Sequence, residues 1–359
     1  MDPLLPPLDH EELLVRRGPR SGLHVMVGLH STARGPGLGG CRMWTYDDVT
    51  LAVRDVLRLS RAMTYKNAAA GLPAGGGKGV IALPGGRGRA PLTGKARTAA
   101  LLDFGEAVEA LGGRYLTAED VGVSSRDMTT IAKATAHVTG LSRSRGGSGD
   151  PSPLTAIGVE ASIETICERL FGSRSLKGRS IAIVGLGHVG AHLATRCARA
   201  GAKLVVADID RSKRELAARL GARWTTPASA LTAAVDVLSP CALGGVLNAE
   251  TVPKLRCRAI AGAANNQLSE EAVAEQIAAR GILWAPDFVV NAGGVINLAV
   301  EFEGYDPAVA RKRTRAIGET LAGVLDDAER AGITPLAAAN ALAERRIAEA
   351  RRSRRPRAN

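Results

Sequence analysis

Apolar positions along the chain fall into short strand-like runs separated by segments of helical period. HVMVGLHS, His24 to Ser31, reads as a strand, and VTLAVRDVLRLSRAMTY, Val49 to Tyr65, repeats its apolar residues at the spacing of one helix face. GVIALP, Gly79 to Pro84, is again strand-like. A helix is expected over Lys95 to Leu111, a short strand in RYLT, and a helix from the candidate cap Ser124 to Ala136. This alternation predicts an α/β domain. The Gly-, Ser-, Pro- and Arg-rich stretch Gly140 to Pro153 reads as a hinge, and a helix is expected from Leu154 to Leu170. Next come SIAIVG, ending at Gly185, and KLVVAD, ending at Asp208, with VDVLSP, RAIAGAA and ILWAPDFVV as further strand candidates. Strands without in-out alternation, separated by helices, predict a doubly wound parallel sheet covered on both faces. From Pro307 onward two long amphipathic helices are expected, and no internal repeat is found.

Two domains joined by a cleft suit 359 residues. The expected boundaries are 1–145 for an N-terminal α/β substrate domain and 146–330 for a Rossmann-type domain, with about 331–359 returning to the first. Only 3% of residues are aromatic, so Leu, Val, Ile and Ala must fill the cores. No apolar run approaches the roughly 20 residues of a membrane span, and the start lacks the pattern of a secretory leader, so a cytoplasmic protein is expected. Five scattered cysteines without paired spacing favour neither disulfides nor a metal site. The net charge of +12 raises nucleic acid as a partner. Five arginines, however, lie in the run Arg351 to Arg357 and the rest are dispersed among acids, so nucleic-acid binding is disfavoured.

Gly185, Gly187 and Gly190 form GxGxxG between a strand and a helix in VGLGHVGAHL. The first glycine permits the tight turn, the second lets backbone approach a pyrophosphate, and the third allows close helix packing. His188 and Val189 open the helix whose N-terminus would face the phosphates. Asp208 follows near the spacing of about 20 residues at which an acid takes ribose hydroxyls. An acid there would repel a 2′-phosphate and argues for NAD, with nearby Arg211 arguing the other way.

Arginine outnumbers lysine 38 to 9, yet Lys66 and Lys78 sit together in TYKNAAAGLPAGGGKG, a run with no other charge. Such ammonium groups are expected against a substrate or cofactor, and a desolvated lysine near a second cation can act as a base near neutral pH. The alternative is that both snorkel to solvent from a loop. TAEDVGVS places Glu119 and Asp120 at a strand end, where catalytic carboxylates occur, although either acid would serve equally as a helix cap.

With these residues in place the chain resembles the glutamate, leucine, phenylalanine and valine dehydrogenase family, and most of all its branched-chain members. The resemblance runs through GPGLGGCRMW, the two-lysine run, TAEDVG, GSGDPSP, VGLGHVG, SPCALGG, GAANNQL and APDFVVNAGGVIN, in family order over almost the whole chain. It implies that Lys66 and the backbone at Gly40 hold a substrate carboxylate, that Lys78 is the catalytic base, and that Asp120 exchanges the proton on the amino nitrogen. It further implies that Asn265 meets cofactor and substrate, that Asn291 meets the substrate's polar end, and that Cys241 and Ala242 border the cofactor. Cys41 stands where relatives usually carry Thr.

By the same resemblance, Leu38, Ala118, Thr139, Val295 and Leu298 line the side-chain pocket. An apolar Leu38, where glutamate dehydrogenases carry lysine, would leave a second carboxylate buried and unpaired. Phenylalanine dehydrogenases tend to have Gly for Ala118 and Ala for Val295. The larger residues here favour leucine, valine and isoleucine, with phenylalanine dehydrogenase as the alternative. A non-catalytic ligand- or nucleic-acid-binding protein on the same scaffold is the reading of a different class. A homo-oligomer is expected.

Overall fold

A computed structural model describes residues 8–85 and 92–354. Arg355 and Arg357 lie outside the described residues. The chain forms two compact units. One runs to Asp150 and takes back Leu298–Asp306 and the chain from Ala343; the other is Pro151–Asn297 with Pro307–Leu342.

The first unit is built on β1 (Glu12–Arg17), β2 (His24–Ser31), β3 (Gly37–Tyr46), β4 (Gly75–Pro84) and β5 (Tyr115–Glu119), in the order β1-β2-β4-β3-β5. β2 is antiparallel to β1 and β4, while β3 is parallel to β4 and β5. Helix α1 (Val49–Ala69) covers one face, burying Ala52, Val56 and Leu57 against Met26, Val80 and Ala82. Helices α2 (Gly94–Glu109) and α3 (Ser125–Ile131) cover the other, where Leu101, Phe104 and Ile131 pack on Val25, Cys41, Ile81 and Tyr115. Burying each such side chain is worth about 1.5–3 kcal/mol.

Several elements differ from the sequence reading. β1 was not anticipated, and neither was β3, a strand made of the glycine-rich run GLGGCRMWTY. β4 begins four residues before Gly79 and therefore contains Lys78. Its glycines admit close neighbours: a Cβ on Gly76 would stand 2.1 Å from the Thr64 nitrogen, and one on Gly39 of β3 1.9 Å from the Gly77 carbonyl oxygen. Only glycine lets α1 and the two strands approach so closely. Helix α3 is seven residues long, ending at Ile131 rather than Ala136, and Ser124 caps it in a reciprocal capping box with Asp127.

The second unit holds β6 (Ser180–Val184), β7 (Lys203–Ala207), β8 (Arg223–Trp224), β9 (Val237–Pro240), β10 (Ala259–Ile260) and β11 (Leu283–Trp284). All six are parallel in the order β11-β10-β9-β6-β7-β8, the doubly wound arrangement expected. Helices α4 (Ser152–Phe171) and α5 (His188–Arg199) pack together beside the sheet. The apolar run ILWAPDFVV is a strand only at Leu283–Trp284; beyond Pro286 it turns into the short helix Asp287–Val290. From Pro307 onward the described residues form three helices, Pro307–Arg315, Ile317–Ala331 and Pro335–Arg354, where two were expected.

The last of these returns to the first unit. Ala343 and Ile347 pack on Ala68 of α1 with Ala33 and Tyr65 beside them. Arg346 donates through Nη1 to the carbonyls of Ala68 (3.0 Å) and Ala69 (2.6 Å), satisfying carbonyls at the end of α1. Arg34 in turn donates to the Arg346 carbonyl at 3.1 Å.

Candidate active site

Strand alternation decides which side chains of the first unit meet. In register, Leu38 pairs with Gly76 of β4 and Leu116 of β5, and Gly40 with Ala118. Since side chains alternate between faces, Leu38, Gly40 and Arg42 of β3, Lys78 of β4 and Ala118 of β5 share the face that α1 covers. Asp120, just past β5, joins them: a Cβ on Gly40 would come within 2.7 Å of the Asp120 Cβ. Glu119 belongs to the opposite face, and Ser124 rather than either acid caps α3, which leaves Asp120 as the carboxylate beside Lys78.

Lys78 is 5% exposed and donates from Nζ to Asp120 Oδ2 at 2.6 Å. It is a buried strand residue and does not snorkel from a loop. The same Oδ2 accepts from Arg42 Nε at 3.1 Å. Burial alone would raise the Asp120 carboxyl, but the Lys78 ammonium and the Arg42 guanidinium outweigh it and hold the group at about 2. Lys66 occupies the last turn of α1 and is partly buried. Its neighbour Asn67, fully buried, ties that turn to the sheet by donating Nδ2 to the carbonyls of Leu38 (3.1 Å) and Gly75 (2.6 Å). Sequence reasoning missed this clamp, whose signal was a polar residue on the apolar face of α1. Cys41 lies on the opposite face, buried beneath α2, with its thiol pushed up by burial. Thr139 is buried and donates to the Thr117 carbonyl at 3.2 Å, and Leu298 is buried against Gly140.

The second unit gathers the remaining predicted residues. Gly185 has φ of +104°, and a Cβ on Gly190 would stand 2.0 Å from the Gly185 oxygen, so both positions require glycine. A Cβ on Gly185 would also stand 2.7 Å from that of Ala242, which places the β9 end, with Cys241, beside this turn. Helix α5 starts at His188 with Gly187 as its N-cap and no side-chain cap, leaving backbone N–H groups at its first turn for an anion. Asp208 is fixed at the end of β7, accepting from Leu186 N at 2.6 Å and Asp210 N at 2.8 Å. These donors and this acid fit a dinucleotide. Arg211 is exposed on the following turn.

Asn291, 6% exposed, donates Nδ2 to Asn265 Oδ1 at 3.0 Å and to the Ala263 carbonyl at 3.2 Å, while its own Oδ1 is buried with no protein partner. That orphaned acceptor suits a polar ligand group. Gln267, fully buried, donates to the carbonyls of Gly262 and Ala264 and accepts from Trp284 Nε1, fixing the loop that carries Asn265. Val295 is partly buried in the helix Gly293–Ala299. A groove of about 860 Å³ between α4 and helix Pro307–Arg315 holds none of these residues.

The profile of the Glu/Leu/Phe/Val dehydrogenase dimerisation domain matches residues 17–137, and that of glutamate/leucine/phenylalanine/valine dehydrogenase matches 206–355. The chain belongs to this dehydrogenase family. The dehydrogenase is 44% identical to leucine dehydrogenase of Bacillus subtilis over 347 residues, covering 96% of this chain and 93% of that protein. It is 43% identical to valine dehydrogenase of Streptomyces albus, covering 96% and 94%. Its fold matches the crystal structure of L-tryptophan dehydrogenase from Nostoc punctiforme with a TM-score of 0.81 at 36% identity, covering 96% and 97%. The protein is an amino-acid dehydrogenase of a nicotinamide-dependent family. Among the described residues no helix is long and apolar enough to cross a membrane.

Proposed function

We propose that the enzyme oxidatively deaminates leucine, valine and isoleucine with NAD, giving a 2-oxo acid, ammonium and NADH. The observation that carries the reading is the buried Lys78–Asp120 pair beside Gly40. The first unit is the substrate domain and the second the NAD domain.

Lys66 and the Gly40 backbone hold the substrate carboxylate. A nicotinamide held by the second unit would supply the hydride acceptor for the substrate Cα–H, and loss of that hydride leaves an iminium carbon. Lys78 takes a proton from water, and the hydroxide adds to that carbon to give a carbinolamine. Asp120, having taken the proton that the substrate ammonium gives up before hydride transfer, returns it to the nitrogen; the C–N bond breaks, and the departing ammonia carries off the hydroxyl proton as ammonium while the hydroxyl becomes a carbonyl. Buried in an apolar face, Lys78 makes that transfer where water screens its charge least. Asn265 and Asn291 orient the polar end of the substrate and the cofactor. His188, Val189 and Gly190 offer backbone N–H groups to the pyrophosphate, Asp208 takes the ribose hydroxyls, and Cys241 with Ala242 borders the nucleotide.

Leu38, Ala118, Thr139, Val295 and Leu298 form the side-chain pocket. Larger groups at Ala118 and Val295 crowd a ring, but overpacking costs only about 1–3 kcal/mol. Similarity to a tryptophan dehydrogenase makes an aromatic amino acid the second reading. Steady-state NADH formation over leucine, valine, isoleucine, phenylalanine, tryptophan and glutamate tests the choice: highest kcat/KM for an aromatic substrate would overturn the branched-chain reading. The dimerisation-domain match supports a homo-oligomer, and five unpaired cysteines fit the reducing cytoplasm.

A further inference from the structure

The deamination chemistry uses Lys78 and Asp120, yet Asp120 has a second cation on the same oxygen. Lys78 Nζ lies 2.6 Å and Arg42 Nε 3.1 Å from Oδ2. Arg42 is itself anchored: Nη1 donates to Asp55 Oδ2 at 3.1 Å, and that oxygen also accepts from Tyr46 at 2.7 Å. Arg58 donates to Asp55 Oδ1 at 2.8 Å. The chain of contacts therefore runs from α1 through β3 to the site, with Asp55 and Arg58 on the helix and Arg42 and Tyr46 on the strand. On the far face of the sheet the buried Cys41 thiol feels the charges of Lys78, Asp120, Asp127 and Arg97, the last two being paired with each other.

We propose that Arg42 is a positioning residue for the reaction: held by Asp55, it takes a share of the Asp120 carboxylate and so lets Lys78 give up its proton to become the base. Without the guanidinium, the full negative charge of Asp120 falls to Lys78 and a neighbouring positive charge is gone. Both changes favour the protonated lysine. The inference rests on Lys78 as base, and it assigns to Arg42 the role of a second cation beside that base.

The test compares Arg42→Met, Arg42→Gln and Arg42→Lys in kcat/KM for L-leucine with NAD from neutral to alkaline pH, with NADH binding measured on each variant. The expected result is that the rise of kcat/KM with pH moves upward by about one pH unit in the Met and Gln variants. In Arg42→Lys, which keeps the charge, it stays near the wild-type position, and NADH binding is unchanged throughout. A purely structural role would lower the active fraction without moving the profile. An unmoved profile in Arg42→Met or Arg42→Gln, an equal displacement in Arg42→Lys, or loss of NADH binding in both neutral variants would each overturn the proposal. Lys78→Ala run beside them separates the two readings, because full turnover in that variant removes the base itself whatever Arg42 does.

Discussion

Replacing Lys78 by methionine probes the chemistry directly. Methionine fills most of the space of a side chain that is 6% exposed, so the loss is one of charge and proton transfer more than of packing. Asp120 stays paired through Arg42 at 3.1 Å, which spares the fold the several kcal/mol cost of an orphaned buried carboxylate. No other base takes over the activation of water: in the variant the Arg42 guanidinium still holds the Asp120 carboxyl down, leaving it too weak a base to deprotonate water. General-base catalysis contributes about 100- to 10,000-fold, or roughly 3–5.5 kcal/mol of barrier. The turnover of Lys78→Met should therefore fall by at least two orders of magnitude in steady-state NADH formation. NADH binding, followed by fluorescence titration, should stay near wild type because the nucleotide donors belong to the second unit. Retention of a tenth of wild-type turnover, about 1.4 kcal/mol, would refute the assignment.

Asp208 predicts a strong preference for NAD over NADP, and comparable kcat/KM with both would mean that Arg211 governs the pocket. Ala118→Gly combined with Val295→Ala should move preference from leucine toward phenylalanine in the same amino-acid assay; an unchanged ratio would remove those two residues from the pocket. Asp120 and Asp127 are both held at about 2 against an ordinary 3.8, after burial, by their lysine and arginine partners. The stability they contribute is complete above the unfolded value and disappears as pH falls through the folded one, so the thermal midpoint should drop steeply between about pH 4 and 2. A flat midpoint across that window would show that neither carboxylate is anchored as described.

Where charges stood alone in apolar surroundings, the candidate site could be proposed before the fold was described. Lys66 and Lys78 announced themselves by isolation, and the GxGxxG turn with Asp208 by spacing. β3 escaped because glycines are depleted from strands as a class, and its glycines answer a need of the neighbouring strands that no local pattern records. DFVV looked like strand because a short buried apolar run is ambiguous between strand and helix. Arg42 sat inside a recognisable motif, yet its contacts with Asp55 and Asp120 join positions on three separate elements. Pairings of that range depend on register and helix placement, which periodicity does not encode.

The helix Pro335–Arg354 has a consequence for how the molecule is made. Its second half supplies Arg346 to the carbonyls that end α1, and Ala343 and Ile347 to the surface around Ala68. On a ribosome those residues emerge only after the whole second unit has been synthesised. Until then the turn bearing Lys66 has exposed carbonyls and an uncovered apolar patch, so the first unit waits, incomplete, for a helix translated after the second. Chaperones would meet it in that interval, and a nascent chain stalled short of Ala343 should expose α1 to proteases that spare the finished protein.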